Sequence, residues 1–174
     1  MKRMLFVAIV VASTVTVGAA PALASRATGN HASYTWVIGA VPAGSSDTAG
    51  AADGSTLTLS GSGQLKAGPG HFANGGGTYT LTRGGQTTSG SFTVTGIGGF
   101  VSYGSGAAQG LPANFFGGQA KLSVSLDNGS SGLLTITCQL GAPPAGHTEG
   151  ITVILGPGGA FTKKVSGNTV FIHS

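Results

Sequence analysis

The chain has 174 residues, of which 33 are glycine and only 7% are charged, with a single cysteine and a formal net charge of +4. Ordinary globular domains carry roughly a quarter charged residues, so this sequence has no basic patch with which to hold nucleic acid or an anionic membrane. One cysteine excludes an internal disulfide, and the glycines follow no Gly-X-Y period, which excludes collagen.

The first elements read as an export signal. Lys2 and Arg3 precede an apolar stretch from Met4 to Val17, broken only by Ser13, Thr14 and Thr16, and Ala22 and Ala24 then form a small-residue cleavage pattern. The apolar stretch is too short and too interrupted to span a bilayer. Cleavage between Ala24 and Ser25 releases a mature chain of about 150 residues with six basic and four acidic side chains, enough for one domain with a real core. The expected organisation is a signal peptide at 1–24, an N-terminal strand and flexible loop at 25–53, and a β-core at 54–174. The expected location is extracellular or periplasmic, with no membrane contact once the signal is removed.

Downstream, short apolar-alternating runs are separated by glycine-rich punctuation. Tyr34–Ile38 is the first strand, and 40–53 (AVPAGSSDTAGAAD) reads as a loop. Ser55–Ser60 puts Leu57 and Leu59 on one face. Tyr79 and Leu81 oppose Thr78, Thr80 and Thr82, and Phe92 and Val94 oppose Ser91, Thr93 and Thr95, with the turn RGGQ (83–86) joining the two runs. Gly99–Tyr103 is a weaker strand before a long loop at 104–119. Next come KLSVSLD (121–127), the turn NGSSG, and LLTITCQL (133–140), with Leu134, Ile136, Cys138 and Leu140 inward. The runs 151–155, 160–165 and 168–174 complete the chain. Period-two alternation means one buried and one wet face per strand. About nine such strands with tight turns predict an all-β antiparallel sandwich or barrel. The Gly/Thr phrases near Gly54, Gly77 and Gly90 keep no fixed spacing, so they are hairpins rather than a solenoid.

Chemistry-bearing residues are sparse. His147 and Glu149 are two apart, so in an extended segment both side chains point the same way, as a carboxylate orienting an imidazole for acid–base work requires. The competing reading has Glu149 bonded to backbone amides and His147 solvated. His173 is a third candidate for an enzymatic site. Cys138 faces the core as a small hydrophobe. No metal-binding spacing, nucleophile elbow or phosphate loop occurs, so neither metal nor cofactor is expected. Phe115 and Phe116, in the long loop, are candidate ligand contacts together with Tyr103 and Trp36, although Trp36 also suits a core. The threonine faces (Thr56, Thr58, Thr78, Thr80, Thr82, Thr93, Thr95, Thr135 and Thr137) offer hydroxyls to a sugar or a water lattice, or reflect β-propensity alone. Asn128-Gly129-Ser130 matches a glycosylation acceptor, and the turn also explains it.

The pieces GSG, GGGTYTLT, SGSFTVTG, LLTITCQLG, EGI and TVFIH, in that order between about Gly61 and His173, resemble a family of small exported Gly/Thr-rich β-proteins of bacteria and fungi with no settled activity. The resemblance implies no catalytic residues and implies roles for Glu149 and His173 beyond local structure. The glycine-punctuated hairpins are similar in architecture to allene-oxide-cyclase and dirigent-type barrels, and fold alone does not give function. The sequence therefore leads to an expectation of an exported, non-catalytic β-domain binding an extracellular ligand such as carbohydrate, or contributing to a surface. The alternatives are a hydrolase or isomerase using Glu149 with His147 or His173, and a threonine-faced ice or mineral binder.

Overall fold

The computed structural model describes residues 32–40 and 45–174. The expected signal segment and the polar lead through His31 lie outside the described residues. Within them the chain forms eleven β-strands and one short 3-10 turn.

The strands are β1 (Ser33–Ile38), β2 (Asp47–Ala51), β3 (Thr56–Lys66), β4 (Phe72–Ala73), β5 (Gly76–Arg83), β6 (Gln86–Ser105), β7 (Phe115–Leu126), β8 (Ser131–Cys138), β9 (Gly150–Leu155), β10 (Gly159–Ser166) and β11 (Thr169–His173). All pair antiparallel in one sheet that closes on itself. One wall is continuous: β3, β5, β6 and β7. The rest of the ring is divided, because β3 and β7 each change partner along their length. Thr56–Leu59 of β3 face β2, whereas Gly61–Lys66 face β1. On β7, Phe115 and Phe116 face β11, whereas Gly118–Ser125 face β8. The ring is therefore completed by β8–β9–β10–β2 over one part and by β11–β1 over the other.

The interior is what the alternation demands. Leu57 and Leu59, Leu122 and Val124, Leu134, Ile136 and Cys138, and Ile151 and Val153 all face one core, joined by Trp36, Phe161 and Phe171 with no exposed surface. Burying side chains of this size contributes about 1.5–3 kcal/mol each. Glycine clusters inside strands have a packing cause as well as a turn role. A Cβ on Gly63 would lie 2.7 Å from the Trp36 ring and one on Gly75 2.9 Å from it. β3 and the chain leading into β5 thus pass directly over the indole, whose N–H donates to the Asn74 carbonyl at 3.1 Å.

Several expectations about elements need correction. The 40–53 stretch contains a true strand, β2, whose Ala49 is fully buried. Its small side chains hid it from a search for large alternating apolar residues. The runs 91–95 and 99–103 are one strand, β6, twenty residues long and interrupted by register shifts between Val94 and Gly96, Ile97 and Gly99, and Ser102 and Gly104. Such bulges let a long strand coil around a closed sheet. β7 begins at Phe115, so both phenylalanines assigned to the long loop stand on a strand.

Candidate functional site

Where β8 ends and β9 and β11 begin, the strands diverge and leave a pocket of about 180 Å³ lined by Ala40, Leu111, Phe115, Cys138, Leu140, Glu149, Asn168, Thr169 and Val170. Most of this lining is aliphatic or aromatic carbon. Leu111 is brought there by the turn after the 3-10 segment Gly106–Gln109, which the Ser105 side chain caps through the Ala107 amide.

The acid at the pocket edge is heavily engaged. Glu149 Oε1 accepts from the Thr169 amide at 2.8 Å and lies 2.9 Å from the Thr169 hydroxyl, while Oε2 accepts from the Gln139 amide at 2.6 Å. The Thr169 hydroxyl also reaches the Thr137 carbonyl at 2.8 Å, so its one hydrogen is shared between two acceptors. Glu149 thereby ties the end of β8 to the start of β11. Burial, followed by the neighbouring Glu149 charge, pushes the Cys138 thiol up to about 12. It is therefore a protonated hydrophobe, not a nucleophile.

A charged pair closes the adjacent seam. Asp47 has no exposed side-chain surface and accepts from the Lys164 ammonium at 2.7 Å. That ammonium also donates to the Gly167 carbonyl at 2.6 Å. Burial raises the Asp47 pKa, and the hydrogen bond and charge of Lys164 oppose the rise. A Cβ on Gly150 would collide with the Lys164 amine, so the glycine after Glu149 makes room for the pair.

The three acid–base candidates go to different partners. His147 Nδ1 sits 2.8 Å from the Tyr103 hydroxyl and 3.2 Å from the Gln119 amide nitrogen, which can only donate, so Nδ1 accepts there. Gln119 and Thr137 belong to the faces of β7 and β8 that point away from the core, and their side chains meet at 3.3 Å. His147 is therefore part of an outer polar cluster, its carbonyl held by the Gln139 side chain, while Glu149 turns toward the pocket. His173 is exposed at the far end of β11 and packs edge-on against Tyr34, centroids 5.1 Å apart, and beside Phe116 at 5.3 Å. No hydrogen bond joins Glu149 to either histidine among the described residues, so the structure does not assemble the expected pair. Period two holds only within a strand, and His147 lies in the turn before β9.

Of the ligand-contact candidates, Phe115 lines the pocket. Phe116 packs on Tyr34 and His173, Tyr103 is buried against His147, and Trp36 is core. Sequence reasoning missed Leu111, Asn168, Thr169 and Val170 as pocket residues and Asp47 and Lys164 as the seam pair. The scarcity of acids was the usable signal: with four in the chain, an aspartate inside a strand-length stretch of small residues invites a buried partner.

The threonines form a registered outer wall. Thr48, Thr58, Thr80 and Ser89 stand in one cross-strand row over β2, β3, β5 and β6; Thr56, Thr82 and Thr87 form a second, and Ser60, Thr78 and Ser91 a third. Within the rows, the Thr48–Thr58, Thr80–Ser89 and Thr82–Thr87 hydroxyls pair at 2.9, 3.0 and 3.2 Å.

Comparison with protein-family models, with curated proteins and with solved structures returns no match for the chain.

Proposed function

We propose that this chain is an exported, non-catalytic β-domain whose end pocket binds a small, largely apolar ligand. The observation that carries the reading is the pocket between β8, β9 and β11: carbon-lined, about 180 Å³ in volume, with a thiol held protonated and a carboxylate already bonded to backbone. Apolar concavities with a few placed polar groups are the usual form of small-molecule sites. Among the described residues Oε2 of Glu149 accepts only the Gln139 amide, and a carboxylate oxygen has two lone-pair sites. A hydroxyl or amine on the ligand would be oriented there. A thiol kept protonated and a carboxylate committed to backbone amides favour holding a molecule over reacting with it.

The test is titration with single-ring aromatic and short aliphatic alcohols, read by methyl chemical shifts of Leu111, Leu140 and Val170. Saturable shifts that vanish in Leu140→Trp, which fills the pocket, are expected. Absence of saturation, or saturation unaffected by Leu140→Trp, would overturn the proposal.

A second reading is favoured by the registered hydroxyl rows. Hydroxyls repeated at about 4.8 Å across strands and about 6.8 Å along them, uncharged and partly paired, are suited to ordered water, which makes this face a candidate ice-contacting surface. Inhibition of ice recrystallisation by the wild type, abolished in Thr80→Tyr, is the expected result. Wild type without effect would remove this reading.

A further inference from the structure

A second concavity lies apart from the end pocket. Lys66, Ala67, Gly68 and His71 form one side and Ile97, Gly98, Gly99 and Phe100 the other, around about 290 Å³. Its position follows from the pairing. Lys66 is the last residue of β3 and is held on one edge by Ser33 of β1 and on the other by Phe72 of β4. The short β4 pairing brings the chain back so that His71 stands at the same opening as Lys66. Opposite, β6 shifts register between Ile97 and Gly99, a bulge of the kind that re-aims neighbouring side chains. Gly98 and Gly99 carry no side chain, so the backbone of β6 is open to close approach. The Phe100 ring is fixed from behind by Tyr34 at 4.8 Å and Phe171 at 5.0 Å.

The charges decide what the groove suits. The chain has four acidic side chains, and each is committed elsewhere. Asp47 pairs with Lys164, Asp53 accepts from the Ser55 amide, Asp127 accepts from Ser91 and Tyr79, and Glu149 ties β8 to β11. None lines the groove. The side chains of Lys66 and His71 make no hydrogen bond or ion pair among the described residues. An ammonium and an imidazole thus share one opening beside a fixed aromatic ring and a glycine floor, with no acidic side chain in its lining.

We propose that this groove binds a single-ring organic carboxylate, its anion held by Lys66 and His71 and its ring laid against Phe100 and Ile97. A carboxylate supplies the missing charge, and charge-assisted hydrogen bonds are the strong ones. The volume is at the small end for ligand sites, which suits one ring rather than a polymer segment. The same chemistry occurs in an acidic monosaccharide and in an aromatic acid, and the site is independent of the end pocket.

The experiment is calorimetric and NMR titration of the full mature chain with glucuronate and benzoate, each against its neutral counterpart, glucose or benzyl alcohol. Saturable binding of at least one acid is expected, about tenfold or more tighter than its neutral partner and weakened as salt is raised from about 10 mM to about 150 mM. Whichever acid binds identifies the source. Lys66→Met and His71→Phe should each reduce that affinity about tenfold, whereas Leu140→Trp should leave it unchanged. Equal binding of acid and neutral compound, wild-type affinity in Lys66→Met, or no saturation with either acid up to about 10 mM would overturn the proposal. Because Lys66 has no partner to lose, its variant should keep the wild-type melting curve, so loss of binding is separable from loss of fold.

Discussion

The two concavities use charge in opposite ways. Around the end pocket, Glu149, Asp47 and Lys164 are all spent on closing the sheet: one joins β8 to β11, and the others pin β2 to β10. At the side groove, Lys66 and His71 close nothing. A nearly uncharged chain has few ions to place, and burying one is tolerated only with a partner. Where strands part and leave backbone groups unmatched, the ions act as structural ties. Where the backbone is already paired, as at Lys66, a cation is left over for a ligand.

The contrast makes its largest prediction at Lys164. Lys164→Met leaves the Asp47 carboxylate buried without its cation and should cost about 3 kcal/mol in urea unfolding. The double variant Asp47→Leu with Lys164→Met should recover most of that, since both charges are then gone. If Lys164→Met is silent, the seam pair is not a tie. Next in size, Glu149→Ala orphans the Thr169 and Gln139 amides and should cost about 2 kcal/mol. Its midpoint should fall well below that of His147→Phe, which perturbs only the outer cluster.

The thiol supplies a kinetic check. With its pKa pushed up to about 12, Cys138 should react with a disulfide reagent near pH 8 only as fast as the protein opens, and immediately once denatured. Rapid reaction of the native chain would contradict the buried, protonated thiol.

A smaller effect concerns acid. Asp127 is held below the ordinary carboxylate range, first by the Ser91 amide and then by the Ser91 and Tyr79 hydroxyls. A lowered folded-state pKa contributes stability that is full above the unfolded value near 3.8 and is lost as pH falls through the folded value. Asp127→Asn should remove that part of the acid sensitivity, read as a flatter midpoint-versus-pH curve below about pH 4. Asp47 runs the other way: its pKa is raised, so its contribution weakens as pH climbs from 3.8 through the raised value. The smallest change is expected at Lys66→Met, within about 0.5 kcal/mol of wild type. A large loss there would show that the groove cation, too, is structural.

The parts of this molecule that could be read in advance are those encoded by neighbours two residues apart. Leu122, Val124 and Leu126 against Ser123 and Ser125, and Ile136 and Cys138 against Thr135, sit on the faces their spacing assigns. Glu149, singled out as an acid–base candidate, and Phe115, singled out as a ligand contact, both line the end pocket. β2 was not legible, since DTAGA offers no bulky alternation, although Ala49 is fully buried. His147 was misplaced for a related reason: a side chain in a turn does not inherit the period of the strand that follows.

Sequence alone determined the fold class, the strand faces and the buried thiol, because steric alternation along an extended backbone is local. Tertiary structure alone decided that β3 and β7 each serve two partners, that Asp47 meets Lys164 across 117 positions, and that Lys66 and His71 are left without an acid. Those outcomes depend on which strand edges meet when the sheet closes, and that is set by the whole ring and by no single segment of it.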